Sequence, residues 1–209
     1  MEEKVLKCFR ARSYGYGDRP FTPQWGIIIP HTMKAQGAVT YDGIYTEYVY
    51  GTIMIPMIGV PFAKRDENGV YGAAKDLRSV KVNATIEPHF NAFNGRAAGA
   101  EILILREDGL SRHYAELFLD IFKETYPSRK IRGVKEVGPR DRGYSNLLNS
   151  KKVGMEVAIL SELFFGDNPK DFLLPEDQAT YWRDCLDSNI NYKVYSGTND
   201  RPTNKESIN

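Results

Sequence analysis

The stretch Thr85–Glu101, TIEPHFNAFNGRAAGAE, decides how the rest of the chain is read. A short run of strand formers leads to His89, and a polar, glycine-bearing loop follows at once. Strand formers closed by turn residues read as a buried strand with His89 at its carboxyl end. Trp25–His31 (WGIIIPH) and Val157–Glu162 (VAILSE) share the design, each ending on a possible metal ligand or acid–base group. In an open α/β sheet the carboxyl ends of parallel strands gather along one edge, where sites form. His31, His89 and Glu162 are therefore expected to meet.

The chain has 209 residues, enough to bury a core without staples, and suits one domain. With 28 basic against 27 acidic residues it carries no field for a polyanion, so no nucleic-acid partner is expected. Cys8 and Cys185 are the only cysteines, which excludes a disulfide framework and a cysteine-rich zinc site and reads as two lone thiols. The first residues, MEEKVLKCFRARSYGYG, lack the apolar core of a secretory signal. The longest apolar stretch, Ile53–Val60, contains Pro56 and is far short of the roughly 20 residues a membrane span needs. The expectation is a protein made without a leader and not membrane-embedded, which something else must release if it acts outside the cytoplasm.

Working outward, Lys4–Arg10 reads as an edge strand, Ser13–Pro23 as loop and Gly26–Pro30 as a buried strand. A polar loop over Thr32–Gly43 precedes a helix starting near Glu47, with Tyr48, Ile53, Met54 and Met57 as its apolar contacts and Pro56 limiting it. Pro61–Gly69 reads as a turn-rich connection, Val70–Lys81 as a helix and Asn83–Pro88 as the strand before His89. After a loop over Phe90–Gly99 come a short strand, Glu101–Leu105, and a helix, Ser111–Thr125, capped by Ser111. Ile131–Asn149 reads as strand pieces and loops, Val153–Leu160 as a strand, Leu163–Pro169 as loop and Pro175–Asp187 as a closing helix. From Ser196 onward the chain reads as a loose polar tail.

A catalytic zinc site takes three protein ligands, histidine or carboxylate, and keeps a fourth position open. His31, Glu47 and His89 offer two imidazoles and a carboxylate, with Glu162 as a neighbouring acid–base group. The intervals between them are long, so spacing alone specifies nothing, and a loop histidine bonded to backbone is the commoner use of each. His113, on a helix away from any strand end, reads as a surface residue.

Taken in order, the segments resemble the zinc-dependent N-acetylmuramoyl-L-alanine amidases of the amidase-3 type, in particular the catalytic domains of phage endolysins. Pro30-His31, Gly37-Ala38 and Glu47 are similar to the family's opening pattern, and Glu87-Pro88-His89-Phe90-Asn91-Ala92 to the segment holding its second histidine ligand. Gly99-Ala100-Glu101, Arg132-Gly133 and Ala158–Asn168 with Asp171 follow, the last similar to the strand with the catalytic glutamate. Pro30 stands where the family usually has glycine, and the interval from Glu47 to His89 looks short by a helix–strand unit. The resemblance implies an α/β single domain, a twisted, mostly parallel sheet flanked by helices, with the site at the carboxyl ends of the strands. It divides the chain into an N-terminal extension (1–24), a zinc amidase domain (25–190) and a polar tail (191–209). It implies one Zn²⁺ on His31, Glu47 and His89, and peptidoglycan as the partner. Glu162 would deprotonate the attacking water and then protonate the departing L-alanine nitrogen.

Glu156 shares a strand face with Glu162, but six residues of extended chain separate them by about 20 Å, so only one can reach the site. Glu162 is at the carboxyl end. Glu101 sits at a strand start, which argues against it, while Glu87 has the parity to orient His89. Asn91 and Arg132 suit substrate carbonyl, acetamido and carboxylate groups, or equally hydrogen bonds that brace loops. Two rivals stay open: a zinc peptidase cutting within the stem peptide, and an inactive wall-binding module. The resemblance fits both a phage lysin and a bacterial enzyme without its leader.

Overall fold

Alternating strand and helix segments build one six-stranded sheet in the computed structural model, which describes residues 21–65 and 67–187. The strands are β1 (Trp25–Ile29), β2 (Phe62–Lys64), β3 (Ala84–Asn91), β4 (Ala100–Leu105), β5 (Ile131–Val137) and β6 (Val157–Phe165). The helices are α1 (Glu47–Met54), α2 (Gly69–Ser79), α3 (Gly109–Thr125), α4 (Tyr144–Lys152) and α5 (Pro175–Asp187). The expected edge strand Lys4–Arg10, the loop beginning at Ser13, Cys8 and the tail from Ser196 lie outside the described residues. No helix among the described residues is long and apolar enough to cross a membrane.

The strand order is β2-β1-β3-β6-β4-β5. β2, β1, β3 and β6 run parallel, β4 runs antiparallel to β6, and β5 runs parallel to β4. One rim of the sheet therefore collects the carboxyl ends of β2, β1, β3 and β6 and the amino ends of β4 and β5. The central strands β3 and β6 are buried at every position, as a sheet covered on both faces requires. Their ionisable residues and Asn91, that is Glu87, His89, Asn91 and Glu162, come towards that rim.

Ile28 packs against Val70, Ala73, Ala74 and Leu77 of α2, and Leu103, Ala158 and Leu160 pack against Leu147 of α4. The helices α1, α3 and α5 cover the other side, with Phe118 of α3 edge-on to Trp182 of α5 at 5.3 Å. On α1 the buried positions are Glu47, Tyr50, Gly51 and Met54; Ile53 and Met57, expected inside, are exposed. That stripe follows the 3–4 spacing set by Glu47.

Several elements depart from the sequence reading. The short interval before β3 contains a strand–helix unit, β2–α2, with the strand cut to three residues. β3 continues past Pro88 to Asn91 and β6 past Leu160 to Phe165, so His89 and Glu162 stand inside strands. Ile131–Asn149 contains one full strand and the start of α4, a polar helix with little amphipathic signature. The helix α3 starts before Ser111, and Asp108 is its cap, accepting the Ser111 N–H at 3.2 Å.

Ser111 instead ties α3 to the sheet. Its hydroxyl donates to Asp108 Oδ2 (2.7 Å) and accepts the Ala158 N–H (3.0 Å), beyond the last β4–β6 pair at Leu103 and Leu160. Ser111→Ala orphans that buried strand amide, so it should cost about 1–3 kcal/mol in denaturant unfolding. A change within experimental error would contradict the role.

Candidate metal centre

At the end of β1 the chain leaves the sheet through Pro30, and His31 adopts a left-handed φ of 61°. The following loop folds back on itself. Backbone bonds from Glu47 N to Ala38 O (3.0 Å) and Tyr48 N to Gln36 O (3.1 Å) hold it against the start of α1. Thr46 caps α1 by accepting the Val49 N–H, which puts Glu47 at the first helical position.

Glu47 is buried between two imidazoles. Its Oε2 lies 2.9 Å from His31 Nε2 and accepts the Ala38 N–H at 2.8 Å. Its Oε1 lies 2.8 Å from His89 Nδ1 and accepts the Phe90 N–H at 3.3 Å. Burial opposes its ionisation, but the hydrogen bonds from His31 and His89 outweigh that and hold the carboxyl well below the usual carboxylate range. Gly37 explains the Gly-Ala pair: at φ 80° a Cβ there would come within 2.3 Å of Glu47 Oε2 and 2.6 Å of the His31 ring.

The other nitrogen of His89, Nε2, lies 2.9 Å from Glu87 Oε1, two residues back on the same strand face. Glu87 is paired in turn with Arg65, the residue after β2. Burial lowers the Arg65 pKa to about 10, the Glu47 charge resisting, so it stays a cation near neutrality.

One ligand atom from each of His31, Glu47 and His89 lies within 4.8 Å of the others. Two imidazoles and a carboxylate are a donor set for zinc with an open position, and a carboxylate on the second ring nitrogen is the usual support of a ligating histidine. The residues present fit the ion.

Beside this cluster, Glu162 pairs across β3 with His89 and across β4 with Glu101. Asn91 Nδ2 donates to Glu162 Oε2 at 3.1 Å, and Arg142 donates to the same oxygen. Burial pushes the Glu162 carboxyl up to about 7 against the opposing charges of Arg142 and His89. A carboxyl in that range takes up and returns a proton near neutral pH. Glu101 accepts from Arg132 Nε (2.6 Å), Asn91 Nδ2 (2.9 Å) and Arg142 Nη2 (3.3 Å). Its burial raises its pKa, but Arg132 and Asn91 outweigh this and depress it.

The structure thus brings His31, Glu47 and His89 together, with Glu162 next to them and Glu87 on His89. Asn91 is buried, its amide engaged with Glu101, Glu162 and Arg142 (2.9 Å to Nη1). Arg132 bonds Glu101. Glu156 is exposed at the opposite rim beside Asn83. His113 is half-buried, edge-on to Tyr114, rather than a surface residue. Sequence reasoning missed Arg65, Arg142 and Glu101. The strand-start argument against Glu101 fails because β4 is antiparallel to β6, so its start lies level with the end of β6.

A solved N-acetylmuramoyl-L-alanine amidase from Clostridium difficile 630 superposes with a TM-score of 0.62 at 17% identity, over 81% of this chain and 97% of that one. The chain has the amidase fold. The catalytic domain of the CD27L endolysin targeting Clostridia difficile aligns with a TM-score of 0.57 at 21% identity, over 79% of this chain and 97% of that one. The catalytic domain of CwlV, an N-acetylmuramoyl-L-alanine amidase from Bacillus (Paenibacillus) polymyxa var. colistinus, gives 0.57 at 18% identity, covering 78% and 92%. No protein-family model matches the sequence, and no curated protein matches it. The amidase fold accounts for the mostly parallel sheet with helices on both sides.

Gly37→Ala combines left-handed strain of about 1–2 kcal/mol with a collision on the Glu47 carboxylate. It should lower the thermal midpoint, whereas Gly43→Ala, with nothing within 4 Å of the added Cβ, should show the strain alone. Equal losses in the two variants would contradict the crowding at Gly37. For Glu101 the depressed carboxyl adds stability that is full above the ordinary carboxylate range and fades as pH falls through its lowered value. The stability gap between wild type and Glu101→Gln should therefore shrink from pH 7 to pH 3, and a gap widening on acidification would contradict this.

Proposed function

We propose that the chain is a zinc-dependent hydrolase of peptidoglycan, cleaving the amide between N-acetylmuramic acid and L-alanine. The observation that carries this reading is the His31–Glu47–His89 cluster beside the buried Glu162 on one rim of an amidase fold. Zinc held by the three would supply a Lewis acid for the amide carbonyl and lower the pKa of water. The chain's own groups do the rest. Glu162 accepts a proton from the attacking water and returns it to the L-alanine nitrogen as the C–N bond breaks. Asn91 and Arg142 donate to Glu162 Oε2 and so fix the carboxyl group. Glu87, fixed by Arg65, orients the His89 ring. Arg132, on β5, stands at the same rim, bonded to Glu101.

The test is digestion of purified peptidoglycan with mass analysis of the fragments. An amidase frees the lactyl carboxylate and exposes an L-alanine amino terminus; chelation should stop this and added zinc restore it. Cuts confined to the stem peptide would instead make the protein a peptidase. Glu162→Gln should bind zinc as wild type does and lose about 10²–10⁴-fold in turnover. His89→Ala should lose the metal itself. Lysis by Glu162→Gln at wild-type rate would overturn the assignment.

A further inference from the structure

Beyond Glu162, on the side away from the metal ligands, a pocket of about 440 Å³ opens over the amino ends of β4 and β5. Its lining includes Phe93, Glu101, Arg132, Arg142 and Phe165. Three observations bear on what it holds.

The first is charge. Glu101 is 5% exposed and already bonded by Arg132, Arg142 and Asn91. The Arg142 and Arg132 side chains are 57% and 34% exposed. The charged groups the pocket turns to solvent are therefore guanidiniums, Arg142 being shared with Glu162 as well.

The second is hydrogen-bonding capacity. Arg132 lies over the Phe165 ring at 5.1 Å and commits only Nε, to Glu101. Among the described residues its two terminal nitrogens make no hydrogen bond, leaving a planar fork of donors whose geometry matches a carboxylate.

The third is preorganisation. The loop forming the far wall is held before any ligand arrives. Asp167 accepts from Phe93 N (2.9 Å) and Gly95 N (2.8 Å), Asn168 donates to Ala97 O (3.0 Å), and Asp171 accepts from Gly99 N (2.9 Å). A wall built this way loses little entropy on binding.

Position decides which half of the substrate enters. The proposed function makes Glu162 the donor to the leaving nitrogen, and such a donor must stand on the leaving group's side of the bond. Along the rim the order is metal ligands, Glu162, then this pocket, so the amine half extends into it. We infer that the pocket is a carboxylate subsite, in which Arg132 with Arg142 grips an acidic group of the peptide released by cleavage. This inference rests on the amidase reading for the direction of the substrate. A carboxamide in the same place would offer the Arg132 fork one oxygen acceptor where a carboxylate offers two.

Calorimetric titration of the whole protein tests it without turnover. The probes are two synthetic L-alanyl dipeptides that differ only in an α-carboxylate or carboxamide on the second residue. The acid should bind about tenfold more tightly. Arg132→Gln should bring the two close to equal affinity, and so should Arg142→Gln if the first variant does not fold. Equal affinities for wild type, or a preference that survives in the folded variants, would overturn the subsite. The matching muramoyl peptides, assayed in parallel, separate this from the function beneath it. Cleavage of both without preference leaves the amidase and removes the subsite. Preferential binding with no cleavage of the muramoyl amide leaves the subsite and removes the amidase.

Discussion

One carboxylate holds the site in register. Glu47 bridges His31 Nε2 and His89 Nδ1 with its two oxygens, joining the end of β1, the first residue of α1 and the end of β3. A buried carboxylate is tolerable only when its lone pairs are answered, and here two imidazoles and the Ala38 and Phe90 amides answer them. The loop between β1 and α1 has to come back to the sheet to supply Ala38, and Gly37 has to lack a side chain for it to do so. The local backbone is thus subordinate to a polar contact rather than to apolar packing.

A second constraint comes from topology. The reversal of β4 against β6 puts amino ends of two strands beside carboxyl ends of four. That places Glu101 and Arg132 level with Glu162 and extends the polar rim past β6. Arg142 reaches the same rim through the turn before α4, where Gly143 approaches Leu103 and Leu160 so closely that a Cβ would lie 3.1 Å from both. Glu162 and the guanidinium-lined pocket therefore share supports, and Asn91 and Arg142 serve both.

What was legible in the sequence follows from how local each signal was. His31, His89 and Glu162 each follow a run of strand formers, so their meeting at one rim can be read from the strand ends. Strand direction is not written locally, so a strand-start position argues wrongly against Glu101. β2 has three residues and is followed by Arg65-Asp66-Glu67-Asn68-Gly69, a turn signal that hid both the strand and the arginine it delivers. α4 begins after a left-handed glycine and carries mostly polar residues, so Arg142 lay in a segment with no periodicity to place it. Ser111 looked like a cap because its type and position suited one, while its use, answering a strand amide, depends on a partner 47 residues away.

The central claim is that one divalent ion belongs between His31, Glu47 and His89. Anomalous diffraction at the zinc absorption edge, from crystals grown with stoichiometric zinc, addresses it most directly. The account predicts a single strong peak at about 2.0–2.2 Å from one atom of each of the three residues. A peak held by other side chains, or none at all, would contradict it.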